Sequence, residues 1–513
     1  MYGLELLFAK RSENGINLAR AALMAADRKP SKVTYAALKG ALWSGVGQWG
    51  GAVIGLVAFI INARILGPSV IGTNAFAVSM VAFGNLVVAG VLVEALIQRK
   101  TLSDEERSAG FWISAPFGLL GIIVFPIIAM FVPGKVGEIL PYCALAIPIN
   151  ALAAAPVAIL MRDLRFKVLS TVELIAITVS STLGVGMALN GFGVYSLVYM
   201  ELTRISLRCV GAYAVSSYRP QLKPNVQAIK SVGKFGIGGL LLSLVGTAQN
   251  QIPRLAIGYF LGEAALGVFA LATRLFNVLS SLVLGPLGSV ALSVTGRLQD
   301  DLETLRDLYL KSIQFVSVIA MPCFLGIVAI APILIPLAFG ESWTAAIVTT
   351  QMLMLLGMRF AMTSNYVAVL RGVGETQRPL IVQVTALIII IAGIPFAAPL
   401  GIVAVTALLM VRTLVTWPLG SYFLKQKIGV GLWHQLKAGA GAAIASILMA
   451  GMVMIWVGQT EGILDDGIRL VGGVAIGACA YIILLLFFER EFVASILARF
   501  RSPAGSAQPA HES

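Results

Sequence analysis

Apolar stretches of roughly 20 residues, the length a helix needs to cross a ~30 Å hydrocarbon layer, recur from Ala41 almost to Phe488. They predict about fourteen transmembrane helices, at 41–63, 74–97, 110–132, 139–160, 169–189, 192–215, 235–259, 265–295, 312–337, 343–368, 379–398, 401–424, 438–457 and 467–488. Because a spanning chain must satisfy its backbone polar groups internally, the expected fold class is an all-α integral membrane protein. The loops on one side are short, the longest around ten residues, which leaves no room for a folded external domain.

Composition agrees with lipid as the solvent: 58% of the 513 residues are hydrophobic and 12% charged, against about 25% charged in soluble domains. The net charge of +13 would suit nucleic acid, but its placement argues against that partner. Of 37 positive residues, 28 fall in residues 1–40, in alternate loops or in the tail, the pattern expected of cytoplasmic segments. The opposite loops carry only Lys135 and Arg469, beside Glu138, Glu263, Glu341, Glu461, Asp465 and Asp466. Both termini are therefore expected in the cytoplasm.

The first apolar span begins beyond residue 40 with no small-residue cleavage signal, so a cleaved signal peptide is not expected. Leu4, Leu6, Leu7, Phe8, Ile16 and Leu18 among basic residues leave two readings of the N-terminal segment open, an interfacial helix or a poorly ordered tail. Cys143, Cys209, Cys323 and Cys479 lie far apart within spans and suggest neither a disulfide framework nor a metal site.

An internal repeat organises the spans. Leu66, Gly67, Gly72, Ala75 and Ala77 recur as Leu261, Gly262, Gly267, Ala270 and Ala272, at an offset of 195. Lys39 maps onto Lys234, and Ser103-Asp104-Glu105 maps near Gln299-Asp300-Asp301. Six spans followed by six more imply parallel repeats about an axis along the membrane normal, an arrangement used for alternating access. The expected organisation is an N-terminal segment 1–35, six-helix bundles at 36–220 and 221–427, an extra hairpin at 428–490 and a tail at 491–513.

The run Ala63-Arg64-Ile65-Leu66-Gly67-Pro68 with Gly72 and Phe76-Ala77, and its echo from Leu261 to Gly267, resembles the polysaccharide-transporter branch of the multidrug/oligosaccharidyl-lipid/polysaccharide exporter superfamily. The likeness covers roughly residues 35 to 490, including the twelve-plus-two span count. It implies flipping of lipid-diphosphate-linked oligosaccharides across the bacterial inner membrane during O-antigen, capsule or exopolysaccharide synthesis. The implied partners are a polyprenyl-diphosphate-linked glycan, membrane lipids, and a polysaccharide polymerase with export machinery. Where family sequences often carry an acidic residue late in the seventh span, this chain reads Asn250-Gln251-Ile252-Pro253-Arg254.

The charged residues inside spans carry the candidate chemistry. Arg64, Arg204, Arg208, Arg254, Arg274, Arg359 and Arg412 stand against Glu94, Glu173 and Glu201. An Arg at mid-membrane costs ~2.5–3.5 kcal/mol on insertion scales, so it usually faces a cavity or a partner. Glu94 and Glu173 sit near cytoplasmic ends, which leaves Glu201 as the deep carboxylate, sharing one face of the sixth span with Arg204 and Arg208. The surplus positive charge suits a diphosphate, because guanidinium is always protonated and offers paired donors. For Arg64, Arg254 and Arg208, snorkelling to an interface remains the alternative; Arg274, Arg359 and Arg412 lie deeper. Gln48, Asn85, Asn150, Asn250, Gln251, Asn277, Gln351, Asn365 and Gln383 offer amides for sugar hydroxyls or for interhelical bonds. Gly47, Gly51 and Gly55 form a small-residue stripe that permits close helix approach.

No phosphate-binding loop or dinucleotide fingerprint appears, and His434 and His511 are the only histidines. Neither a cofactor, a metal nor a catalytic residue is expected, and the driving force falls to a gradient or to the membrane potential. Two rivals remain. A cation-coupled drug exporter of the same superfamily would want a carboxylate in the first span, which has none. A membrane-embedded polysaccharide polymerase or ligase would want a sizeable external loop.

Overall fold

The computed structural model describes residues 32–90, 103–216, 218–221, 226–297, 301–363, 366–375 and 377–490. The segment before 32, the tail after 490, Glu94 and Asn365 lie outside the described residues. Fourteen α-helices follow in order: α1 Lys32–Gly90, α2 Asp104–Ala129, α3 Gly134–Ala144, α4 Ala146–Arg162, α5 Phe166–Leu189, α6 Val194–Val215 and α7 Val226–Arg297. Then come α8 Leu302–Phe339, α9 Ala346–Thr363, α10 Tyr366–Gly372, α11 Gln377–Ala397, α12 Ile402–Ile428, α13 Leu432–Gln459 and α14 Asp466–Phe488. The described residues hold no strand.

Eleven helical segments among the described residues are long and apolar enough to cross a membrane. Two of them, within α1 and α7, each hold two spans, because the chain bends at Gly67 (φ 74, ψ 175) and at Gly262 (φ 84, ψ 177). A straight 59-residue helix would reach about 90 Å, three times the hydrocarbon layer. At these φ and ψ values only glycine is at ease. Helix α6, whose 22 residues are long enough to cross the hydrocarbon layer and include Glu201, Arg204 and Arg208, adds the remaining span. The fold is thus an all-α membrane protein, and side chains such as Phe131, Phe396 and Trp433, more than 70% exposed, suit lipid.

The two glycine bends pack on each other reciprocally. A Cβ on Gly72 would run into the Glu263 carbonyl oxygen, and one on Gly267 into the carbonyl oxygen of Pro68. Since 68 and 72 correspond to 263 and 267 at the repeat offset, this is the i-to-j, j-to-i contact that a two-fold axis produces. Around it, Thr73 donates to a Glu263 carboxylate oxygen at 2.5 Å, Trp343 Nε1 to the Ala63 carbonyl at 3.1 Å, and Arg64 to the Leu337 carbonyl at 3.2 Å. All three bonds join helices of the first six to helices of the second six.

The acidic loops of the two repeats are helix caps. Ser103 and Glu106 form a reciprocal capping box at the start of α2, and Asp301 accepts from the Thr304 amide at the start of α8. Bonds from the Thr304 hydroxyl and then its amide hold the exposed Asp301 carboxyl below its usual range. The α13–α14 hairpin docks against α8 and α12: Tyr481 donates to the Val318 carbonyl at 2.7 Å, and Gln435 accepts from Trp417 Nε1 at 2.9 Å and from Ser421 at 3.2 Å.

Candidate functional site

Three arginines that are remote in sequence meet in one cavity. Arg254 lies eight residues before the Gly262 bend, Arg359 thirteen residues into α9, and Arg412 ten residues into α12. At 1.5 Å per residue these positions are about 12–20 Å from the bend or from the helix start, a depth at which a charge needs a cavity or a partner. Together with Gln249, Asn250 and Gln251 they line a cavity of about 500 Å³ whose wall, among the described residues, contains no Asp or Glu. Arg254 reaches Thr273 at 3.4 Å, and the Arg359 Nε is buried with no hydrogen-bond partner. Among the described residues, the cavity wall therefore holds positive charge with no carboxylate beside it.

Arg204 and Arg208 stand in a different setting. Arg204 bonds both oxygens of Glu201, at 3.1 and 2.7 Å, and Glu173 at 2.8 Å, while Arg208 Nε lies 3.5 Å from the other Glu173 oxygen. Sequence reasoning set Glu173 aside as a cytoplasmic-end residue. In the structure, α5 and α6 run antiparallel as a hairpin, and the long Arg204 side chain spans the offset between them. Two carboxylates thus answer two arginines within the first half, so this pair is not surplus charge.

Arg274 belongs to the second half but reaches into the first. Its guanidinium lies 5.9 Å from the Phe59 ring centroid, within electrostatic range of Arg204 and Glu201, and its Nε has no hydrogen-bond partner. A Cβ on Gly55 would sit 2.7 Å from Arg274 Nη2. Gly55 and Arg274 each lie twelve residues from the bend of their own helix, so they meet at one depth. The stripe thereby divides its tasks: Gly47 packs on Ser170 and Gly51 on Ile177, whereas Gly55 leaves room for a guanidinium. Arg64, by contrast, sits at the bends and donates to the Leu337 carbonyl.

A second cavity, of about 300 Å³, opens in the first half. Asn74, Asn85, Asn150, Glu201, Thr247 and Gln251 provide its polar wall, which among the described residues contains no Lys or Arg. Gln251 faces both cavities. Of the amides singled out in the sequence, Asn250, Gln251 and Asn277 line the arginine cavity, and Asn85, Asn150 and Gln251 the second. Gln351 donates to the Val328 carbonyl, Gln383 accepts from Gln249 through its backbone carbonyl, and Gln48 is exposed. Asn74, Gln249 and Thr247 were not legible as site residues, since nothing in a single helix's periodicity tells a cavity wall from a helix contact.

Comparisons with known proteins bear on what such a pair of cavities serves. A family model described as "Polysaccharide biosynthesis protein" matches residues 61–348. The chain is 25% identical over 488 residues, 91% of its length and 97% of the relative's, to the succinoglycan biosynthesis transport protein ExoT of Rhizobium meliloti (strain 1021). It is 24% identical over 337 residues to the lipopolysaccharide biosynthesis protein WzxC of Escherichia coli (strain K12), covering 63% of this chain and 67% of that one. Among solved structures, the lipid II flippase MurJ in an inward closed conformation superposes with a TM-score of 0.71 at 13% identity, over 88% of this chain and 100% of that one. That similarity speaks to the fold.

Proposed function

The chain belongs to the polysaccharide biosynthesis protein family, and from that premise we propose that it is a flippase for polyprenyl-diphosphate-linked oligosaccharide. It carries this lipid from the cytoplasmic to the outer leaflet of the bacterial inner membrane, in the synthesis of exopolysaccharide, capsule or O-antigen. The observation that carries the reading is the cavity of Arg254, Arg359 and Arg412 with no carboxylate among the described residues of its wall. Guanidinium pairs with phosphate oxygens through a planar fork of donors, and inside a membrane such a site strongly disfavours the cationic drugs of a multidrug exporter. The succinoglycan and lipopolysaccharide of the relatives' names support a surface glycan as cargo.

The two six-helix bundles, 36–220 and 221–427, take turns in exposing the cavity to each face. The positive loops support cytoplasmic termini, and with that orientation the Gly67 and Gly262 bends form the outer end. Arg274, Arg204, Arg208 and Glu201 line the first-half side of the path, and Arg64 belongs to the outer closure. An inside-negative potential, worth ~2.3 kcal/mol per charge per 100 mV, favours outward movement of an anionic headgroup, and no nucleotide is consumed. A polysaccharide polymerase and export machinery take over the product.

The test is reconstitution of the full chain in liposomes with a polyprenyl-diphosphate oligosaccharide labelled on its glycan. Transport is read as the appearance of label that a membrane-impermeant glycosidase can reach. The wild-type chain is expected to speed this exchange well above empty liposomes. Rates equal to protein-free liposomes, together with no accumulation of the lipid intermediate in cells lacking the gene, reject the reading.

A further inference from the structure

We infer that the first-half cavity is a sugar subsite, which takes the glycan unit next to the diphosphate while the arginine cavity takes the phosphates. This rests on the flippase reading and adds to it where each part of the headgroup sits. Charge separates the two cavities. One wall has three guanidiniums and no acid; the other has amides, a hydroxyl and a single carboxylate, with no cation. A phosphate in the second cavity would meet no counter-charge, and its one acid, Glu201, is already held by Arg204 through both oxygens.

Amides both donate and accept, as sugar hydroxyls do. The Asn150 amide donates to the Asn85 side-chain oxygen at 3.0 Å, which fixes the pair and leaves the Asn85 NH₂ and the Asn150 oxygen for a ligand. Asn74 Oδ1 and Gln251 Oε1 are buried with no hydrogen-bond partner. A buried acceptor without a donor loses its hydration uncompensated, so each marks a position where a ligand hydroxyl would be bound with gain. Because Gln251 faces both cavities, they lie side by side, within reach of adjoining parts of one ligand. A volume of about 300 Å³ is at the lower limit of ligand cavities, roughly 300–1,000 Å³. It suits one sugar unit, and the remaining glycan lies in the open path.

The test measures binding to the full chain in nanodiscs of two probes: bare undecaprenyl diphosphate, and the lipid-linked oligosaccharide extracted from host cells that lack the gene. For wild type, the glycolipid is expected to bind at least tenfold more tightly than the bare lipid. In Asn85→Leu/Asn150→Leu that advantage falls to under about threefold, while bare-lipid affinity stays within twofold. Asn74→Ala separates binding from folding: it removes an oxygen that has no partner, so a purely structural role predicts equal or higher thermal stability and unchanged binding. The subsite predicts a three- to tenfold loss for the glycolipid alone. Unchanged glycolipid affinity in both variants, with bare lipid still bound and sensitive to Arg359→Ala, overturns the subsite and leaves the flippase reading intact. Failure of wild type to bind either probe overturns both.

Discussion

At the scale of single residues, what matters is whether an intramembrane charge is answered. Arg254, Arg359 and Arg412 share a cavity with no acid, whereas Arg204 and Arg208 share Glu173 and Glu201. These two groups call for different outcomes. Arg359→Ala and Arg412→Ala are expected to insert and express normally and to lower transport at least tenfold, with Lys variants recovering part of it, because lysine keeps the charge but loses the fork. Wild-type transport by both alanine variants would remove them from the substrate path. Glu173→Gln, in contrast, strands Arg208 and leaves Arg204 to Glu201 alone, and should lower thermal stability before it changes specificity. A double-mutant cycle of Glu173→Gln with Arg204→Gln should give a coupling of about 0.5–3 kcal/mol, the range for residues in one salt-bridge network; additive effects would mean that the pair is decorative. The seven arginines could be read from the sequence because charge in an apolar run is conspicuous. Their sorting could not, since Arg204 and Glu173 are 31 positions apart on different helices.

At the scale of helices, the glycine bends carry the most information. The repeat motif was legible as a pattern of Gly and Ala at an offset of 195, and so was the span count. What the motif does was not legible: Gly72 and Gly267 each receive a backbone carbonyl of the other repeat, where any Cβ would collide. Ala63, fully buried beside this contact, accepts from Trp343. Gly72→Val should therefore prevent the bends from closing on one another. In a background free of the four native cysteines, Ala63→Cys is expected to react with a water-soluble maleimide at least tenfold faster when Gly72→Val is present. Equal rates would show that the contact is packing without a part in closure. Gly67→Ala is a different change, since its cost is local backbone strain of about 1–3 kcal/mol, and it should appear as lowered stability in detergent.

At the scale of the molecule, the cross-half hydrogen bonds at the bends, from Thr73 to Glu263, Trp343 to Ala63 and Arg64 to Leu337, lie at one end of the spans, while both cavities lie deeper. A carrier that works by turns must break this set in each cycle, whereas a pore or a scaffold would not. Tying the ends together separates these cases. With the native cysteines replaced, Thr73→Cys/Glu263→Cys joined by a short bis-methanethiosulfonate, which forms a disulfide with each thiol and releases sulfinate, should hold the bends closed. Binding of undecaprenyl diphosphate from the opposite face should survive, because the arginine cavity is untouched, but glycolipid transport should fall below a tenth of the untreated rate. Reduction of these disulfides should restore transport, which excludes damage by the labelling itself. If the tied protein transports at full speed, the bends do not separate during the cycle and the two bundles do not alternate about them. If transport stops and cavity binding is also lost, the closure and the arginine site are one unit, a coupling that the separation between Thr73 and Arg359 along their helices argues against.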